Sequence, residues 1–299
     1  MKKNDPRLLK NTVKALGFLM PFFIIYTVFT IWPIIQGVYV SLHRWGLMGR
    51  IRFVGLANYI NFLSDRHFWG SLRNTTFFVV LAVPSVIIAA LVLAILANRP
   101  SRYKKLFRVC FYMPAVLSVS VISFMAIFLY TPHLGFINTM LQTFRITPPG
   151  VQVMFLIRIP WIWTVVVLTT VWWTTGFSMM LYISAMQDVP DTVYEAAEID
   201  GASKTRQLFQ ITIPLLKPTT YLILLLQIIA SYRIFGQFFL ISGGGPGTAT
   251  RPLIQYIYVS AFRNNDLGYA AAMSYALFLI LVVLSLAQIK YQKYKEQVS

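Results

Sequence analysis

Acidic residues are scarce in this chain, nine among 299, against 26 lysines and arginines and a hydrophobic fraction of 57%. Charged residues total 12%, about half the share of a soluble globular domain. That shortage excludes an ordinary soluble fold. Cysteine occurs once, so no disulfide can close within the chain, and Cys110, at the head of an apolar run, reads as a buried inert thiol. His43, His67 and His133 stand apart, with no Cys or carboxylate at metal-ligand spacing. No glycine precedes a lysine, which excludes the G-x-x-x-x-G-K-[ST] phosphate loop, and H-E-x-x-H and G-x-S-x-G are absent too. The long apolar runs hold no Asp or Glu, so no proton relay of intramembrane carboxylates can be drawn. Nothing in the chain alone reads as an enzyme.

What is present is apolar sequence in blocks of bilayer-spanning length, roughly 20 residues each. Six such blocks fall at about 15–40, 74–97, 108–130, 161–186, 219–241 and 269–289. The net charge of +17 invites a nucleic-acid reading, but its distribution opposes one, because the cations gather at the ends of the apolar blocks. Every lysine falls on one side of the alternating topology: Lys2, Lys3, Lys10 and Lys14, then Lys104 and Lys105, Lys204 and Lys217, and Lys290, Lys293 and Lys295. The other side carries only arginines, Arg44, Arg50, Arg52, Arg66, Arg73, Arg145, Arg158, Arg251 and Arg263. The positive-inside rule then puts both termini in the cytoplasm. The first block is too long for a cleavable signal, and no small-residue cleavage site ends it.

Between the blocks, residues 41–73 read as short interfacial helices, and TPHLG and TPPG mark turns in an outer loop at about 131–160. SGGGPGTATRP is a turn-rich outer stretch, and YIYVSAF forms a short helix before the last span. The Trp-rich start of the fourth block reads as an interfacial belt. No internal repeat or low-complexity tract occurs.

Five of the nine acids, Asp188, Asp191, Glu195, Glu198 and Asp200, crowd into one insert at 187–217. Asp188 before Val189-Pro190-Asp191 suits an N-cap with Pro in the first turn, predicting a helix over 189–200. Acids at that end complement the helix dipole. Gly201 breaks the helix, and Ser203 caps a second one through Ile211 that Pro214 closes. Leu208, Phe209 and Ile211 make its apolar side, with Lys204 and Arg206 opposite. Two readings stand on physics alone: a helix–turn–helix resting at the membrane face, or a solvated loop whose charges keep it out of the bilayer.

EAAEIDGASKTRQLFQITIP (195–214) resembles the EAA loop of ABC importer permeases: EAA, three residues, Gly, nine residues, then I-x-[LI]-P. The likeness continues in FVGLANY (53–59), FWGSLRNT (68–75), YMPA (112–115), WWTTGFSMMLY (172–182), SGGGPGTAT (242–250), YIYVSAF (256–262) and LGYAAAMS (267–274). These segments are similar to the smaller first permease of binding-protein-dependent carbohydrate importers of the lactose, raffinose, multiple-sugar and glycerol-phosphate type. ISAMQ (183–187) departs conservatively from that family's Leu-rich run. The resemblance implies an all-α polytopic protein with six transmembrane helices and the type I ABC importer permease fold, in a bacterial or archaeal cell membrane. The expected domains are a cytoplasmic segment 1–14, a permease domain 15–290 and a cytoplasmic tail 291–299. It implies a second homologous permease, a separate ATPase dimer that holds ATP and Mg, and an extracytoplasmic solute-binding protein, with no cofactor on this chain and no nucleic acid. Glu195, Ala196, Ala197, Asp200, Gly201, Ala202, Ile211 and Pro214 fall on the motif that couples such permeases to the ATPase.

Polar groups within apolar spans are candidate functional positions. Gln227 and Ser231 share a face of the fifth block at i, i+4, and Arg233 and Gln237 share an adjacent one. In maltose-type relatives sugar contacts come from the spans flanking the coupling loop, and equal spacing carries those positions onto Thr170, Thr174, Phe177, Gln227, Ser231 and Ile234. Phe177 would stack on a pyranose ring. The alternatives are helix–helix hydrogen bonding by these side chains and snorkelling by Arg233. A non-sugar solute such as glycerol 3-phosphate is the nearest alternative cargo, and a stand-alone channel or carrier, or a membrane enzyme, the alternative classes.

Overall fold

Where water is absent a backbone amide is satisfied inside its own helix, so apolar blocks fold as long helices. The computed structural model describes residues 6–148 and 150–298, with side chains from 16 to 148 and 150 to 295. Its elements begin with α1, Pro6–Tyr26, and α2, Trp32–Ser41, joined by a π-helical stretch at Thr27–Ile31. Pro33 lacks the N–H that the carbonyl four residues back would need, and the wider turn lies at that point. Next come β1, His43–Gly46, β2, Gly49–Phe53, and α3, Ala57–Leu63. The helices α4, Arg66–Asn98, α5, Lys104–Val116, α6, Val119–Tyr130, α7, Phe136–Thr143, and α8, Trp161–Gln187, follow. The insert holds α9, Asp191–Ile199, α10, Lys204–Gln207, and α11, Ile213–Leu215. The chain continues through α12, Lys217–Tyr232, α13, Leu253–Tyr258, and α14, Leu267–Val298.

Four helices are long and apolar enough to cross a membrane: Leu16–Ser41, Arg66–Asn98, Trp161–Gln187 and Leu267–Lys295. Two further candidates are bent pairs, α5 with α6 at 98° and Lys204–Leu215 with α12 at 57°, giving four to six spans among the described residues. The straight third block therefore becomes two helices. Pro114 cannot donate within α5, Leu117 and Ser118 are extended, and Ser118 Oγ caps α6 by accepting from the Val121 N–H at 3.4 Å. The fifth block is interrupted as well: helix ends at Tyr232, Arg233–Phe235 are non-helical, and helical turns resume through Phe238–Ser242.

The chain packs as two units, residues 1–65 with 257–277, and 66–256 with 278–299. In the first, the segment after α2 is only in part the set of short helices that its aromatics imply: α3 is one, but a hairpin precedes it. β1 and β2 pair antiparallel, with His43 opposite Phe53 and Gly46 opposite Gly49. Asn58 Nδ2 donates to the carbonyls of Ser41 at 2.8 Å and His43 at 3.0 Å, so a side chain secures the turn out of α2. Gly268 is obligatory here, because a Cβ would lie 2.0 Å from the His43 carbonyl oxygen.

The second unit is built on α4 and α8. Buried Ala82, Val86, Ala90 and Ala94 recur every four residues along α4, and such small side chains let helices approach closely without a hydrophobic drive between them. One core joins Phe78, Ile162, Trp163, Val166 and Phe238; the other joins Ala90, Ala94, Met179, Tyr182, Leu216 and Ile223. Trp163 thus belongs to the interior, not to an interfacial belt, while Trp161 is 43% exposed. Cys110 is exposed on α5, contrary to the expected burial.

Where α5 crosses α8 the backbones nearly touch, and a Cβ on Gly176 would lie 2.2 Å from the Phe111 carbonyl oxygen. Gly176→Ala therefore forces backbone movement and costs about 1–3 kcal/mol. Gly17→Ala, in a helix with nothing within 4 Å, is neutral or slightly stabilising. Thermal unfolding of the detergent-solubilised chain checks the pair, and equal midpoints would refute the close-approach account.

Candidate functional site

Two regions of the second unit carry the residues singled out in the sequence. The first is the insert. α9 ends in a Schellman motif: Ala202 N–H donates to the Ala197 carbonyl at 2.8 Å and Gly201 N–H to that of Glu198 at 3.0 Å. This requires a left-handed residue, and Gly201 has φ +75° with nothing near its absent Cβ, so the demand for glycine is purely conformational. Ser203 Oγ caps the next helix by accepting from the Arg206 N–H at 3.3 Å, as its position predicts.

Other local expectations fail. Asp188 is the C-cap of α8, its N–H donating to the Ser184 carbonyl at 3.1 Å, because α8 simply runs on to that point. Pro190, in an extended conformation, precedes α9, which starts two residues later than the cap would give. Pro214 does fall where the second helix closes: the helical run continues through a π stretch at Leu208–Thr212 to Leu215, and the bend comes at Leu216. The expected apolar side also divides. Leu208 and Ile211 are half-buried, Phe209 is 62% exposed, and the inward positions are Gln207 and Thr212. Gln207 Nε2 donates to the Ala202 carbonyl at 3.2 Å, and Thr212 Oγ1 meets Tyr194 Oη at 3.1 Å, tying α9 to the helix that follows.

This leaves Glu195, Ala196, Asp200 and Gly201 exposed, and Ala197, Ala202, Ile211 and Pro214 half-buried. Ile199, not singled out in the sequence, is 87% exposed at the tip of α9 beside those acids. An isoleucine isolated among charges was the available signal. Glu198 forms an ion pair with Lys204, and the hydrogen bond from that ammonium, aided by its charge, holds the carboxyl below its usual range. Under the insert, Asn98, Arg99, Met186, Tyr194 and Thr212 border a cavity of about 280 Å³.

The second region lies at the break in α12. A cavity of about 370 Å³ is lined there by Thr170, Thr174, Gln227, Ser231, Arg233, Ile234 and Gln237. Phe177 is not among the lining residues and is 47% exposed. Trp173 and Phe235 supply the aromatic surface instead. Trp173 is positioned by the neighbouring bend, where its Nε1 donates to the Leu117 carbonyl at 3.1 Å. The regular face expected for Arg233 and Gln237 does not exist, because the helix is interrupted between them.

Some of these polar groups do join helices. Gln227 Nε2 donates to Ser178 Oγ at 3.1 Å, and Tyr182 Oη to Thr220 Oγ1 at 3.0 Å, contacts worth about 0.6 kcal/mol each within a membrane. Gln237 differs. One end of its amide meets Thr170 Oγ1 at 3.0 Å, while the other, Nε2, is buried without a hydrogen-bond partner. An unpaired buried amide group costs about 1–3 kcal/mol, and a solute with hydroxyls would offset it. The region can therefore offer a guanidinium, an unpaired amide, hydroxyls and an indole to a polar solute.

The family model described as "Binding-protein-dependent transport system inner membrane component" matches residues 59–295. The lactose transport system permease protein LacF of Rhizobium radiobacter is 32% identical over 276 residues, covering 91% of each chain. The sn-glycerol-3-phosphate transport system permease protein UgpA of Agrobacterium fabrum is 32% identical over 286 residues, 93% of this chain and 94% of that one. A chain from the crystal structure of a bacterial ABC transporter that imports the acidic polysaccharide alginate has the same fold. It superposes with a TM-score of 0.85 at 20% identity, covering 96% of this chain and 99% of that one.

The Glu198–Lys204 pair predicts a pH response of the insert. A carboxyl with a lowered pKa in the folded state favours folding above its unfolded value of about 4.5, and that contribution disappears as pH falls through the folded value. Amide protection over 196–204, taken relative to the intrinsic exchange rate at each pH, should fall below that range in the wild type. Glu198→Gln should be less protected at neutral pH and lose the transition, whereas an unchanged profile would remove the pair from any role in ordering the turn.

Proposed function

The chain belongs to the binding-protein-dependent transport system inner membrane components, and from that premise we propose that it is one of two permease subunits of an ATP-driven sugar importer. The observation that carries the proposal is the cavity at the α12 break, where all but one of the polar-path positions read from the sequence come together. Broken helices lining a midplane cavity are where transporters place their solutes. Relatives named for lactose and for alginate support a saccharide cargo. Six spans, two of them bent, carry the path, with both termini in the cytoplasm as the lysine distribution requires.

The insert then faces a separate ATPase dimer, which holds ATP and Mg. Exposed Glu195 and Asp200 meet basic groups in its cleft, Ala196 allows close approach, and Ile199 supplies an apolar anchor. Ala197, Ala202, Ile211 and Pro214 lie behind that surface and set its shape, with Gly201 fixing the angle between the helices. Closure of the ATPase dimer would be passed through α9–α11 into α12, tilting the spans as rigid bodies and switching access to the cavity. The apolar faces of α1 and α2, none of which are buried across the spanning window, serve the lipid and the second permease. An extracytoplasmic binding protein delivers the solute. Glycerol phosphate remains the second reading, favoured by Arg233 in the cavity lining and by the UgpA relative.

ATP-driven uptake in vesicles containing the full complex tests this reading. Glu195→Lys or Gly201→Asp should abolish coupled uptake without altering the binding protein's affinity for sugar, and wild-type uptake in both would remove the coupling role. Gln237→Leu should raise the solute concentration for half-maximal uptake roughly tenfold, since one hydrogen-bonding group is lost. Uptake by this chain without any ATPase would refute the importer reading. Thermal shifts of the cognate binding protein across neutral sugars and glycerol 3-phosphate identify the cargo.

A further inference from the structure

Two of the spanning helices come together at the β1–β2 hairpin. Leu42 alone separates the span Leu16–Ser41 from β1, and the span Leu267–Lys295 begins beside it. At 1.5 Å per residue the latter is about 44 Å long, the thickness of a bilayer with its headgroups. Its first turn is therefore placed at headgroup level. The hairpin lies along that turn. At its base the His43 carbonyl oxygen takes the space of a Cβ on Gly268, and at its tip Leu47 N–H donates to Asn265 Oδ1. Three residues carry the chain from Asn265 to Gly268, at most about 11 Å, so the tip stays close to the headgroup layer.

The hairpin brings together like charges. Arg44 and Arg52 are opposite each other in the antiparallel register, so their side chains leave the same face, and both are exposed. Such a pair is destabilising unless an anion lies between the two. Neither guanidinium has a hydrogen-bond or ion-pair partner among the described residues. No Asp or Glu occurs from 42 to 64. Asp65 and Asp266, the described acids of this unit, both accept from Tyr269, through its Oη at 2.7 Å and its N–H at 3.0 Å. Arg50 is held separately, donating to Tyr39 Oη at 2.7 Å. The Tyr39 ring lies 6.1 Å from that of Trp45, and this pair of residue types is typical of membrane interfaces. The same hairpin exposes Leu47, Met48, Ile51 and Phe53. Exposed apolar side chains among cations fit a boundary of acyl chains and phosphates, whereas a site for a free anion has no use for an apolar tip.

We propose that the hairpin is a lipid-binding element, in which Arg44 and Arg52 clamp the phosphate of an anionic phospholipid while Leu47 and Met48 enter the acyl boundary. Guanidinium forks match phosphate oxygens in pairs, which suits two arginines on one face. A headgroup held there ties the end of α2 to the start of α14. The proposal rests on the membrane spans and is independent of the cargo and of the coupling role of the insert.

The experiment places a bimane fluorophore on Met48→Cys in a Cys110→Ser background, in the full chain purified with its accompanying subunits. In vesicles, nitroxide-labelled lipid should quench it more strongly than iodide does. In detergent, added phosphatidylglycerol should shift its emission, with phosphatidylcholine and inorganic phosphate having little effect. Arg44→Gln/Arg52→Gln should raise the phosphatidylglycerol concentration at half-shift about tenfold, and Arg44→Lys/Arg52→Lys should recover part of the loss. Without anionic lipid the Gln variant should unfold at the same temperature as the wild type or higher, because a repulsion has been removed. A lower midpoint there makes the arginines internal structural groups and overturns the proposal. Dominant iodide quenching, which puts the tip in water, overturns it too. So does a fluorophore reached by neither quencher, which would mean that a protein covers the tip. An equal response to phosphatidylcholine removes the selectivity for anionic lipid, and an equal response to inorganic phosphate assigns the arginines to a free anion; either result overturns it.

Discussion

A backbone carbonyl released inside an apolar medium has no water to accept from, and the architecture of this chain follows from how each released group is recovered. At the α5–α6 bend the Leu117 carbonyl is taken by the Trp173 indole. Where the chain leaves α2, the Asn58 amide takes two carbonyls. Where the glycine-rich turn folds back on α4, Asn74 does the same. At the interruption of α12, tight turns carry part of the load, with Arg233 N–H donating to the Ala230 carbonyl at 3.2 Å, and a cavity opens beside it. Three of these departures from regular helix are thus tied to a particular polar side chain. Those departures are also where the chemistry gathers, because only there can polar groups face a hollow and not lipid.

Charge follows from the same constraint. Carboxylates are excluded from the apolar blocks by the cost of burying them, so the few that exist collect where the chain must meet water or another protein. The insert carries five of them, three on α9 and two at the adjoining helix ends, and its exposed tip adds an isoleucine among the acids. At the opposite end of α4, Arg66, Arg73 and Arg251 line a hollow that, among the described residues, no carboxylate borders. One helix therefore runs from beside the acidic insert to a cluster of guanidinium groups.

Features that depend on neighbours in sequence were legible. Gly201 and Ser203 behave as their positions require, since a left-handed turn and a hydroxyl cap are decided within a few residues. The approximate limits of the apolar blocks could be read in the same way. Features that depend on what lies across from a residue were not. Asp188 has the chemistry of an N-cap, yet α8 extends to claim it as a C-cap. Phe177 has the spacing of the cavity face, yet Trp173 occupies the cavity because the bend at Leu117 gives its indole a partner there. Cys110 has the chemistry of a buried inert thiol, yet it lies exposed on α5. The β1–β2 hairpin was hidden by Leu47-Met48 at its turn, which lacks the Asn-Gly or Asp-Gly signal of tight hairpins.

By itself the sequence determined that the chain is a set of apolar helices with a charged insert, because hydropathy and charge placement are additive properties of residues, and its spaced motif pointed to the family. Only the tertiary structure decided which polar residues meet. Whether Gln227 faces Ser178, whether Gln237 keeps an unpaired amide, and whether Arg66, Arg73 and Arg251 share one hollow all depend on how helices cross and where they break. Crossing and breaking are set by close contacts such as Gly176 against Phe111, between segments far apart in the chain. No local pattern encodes a distance of that kind.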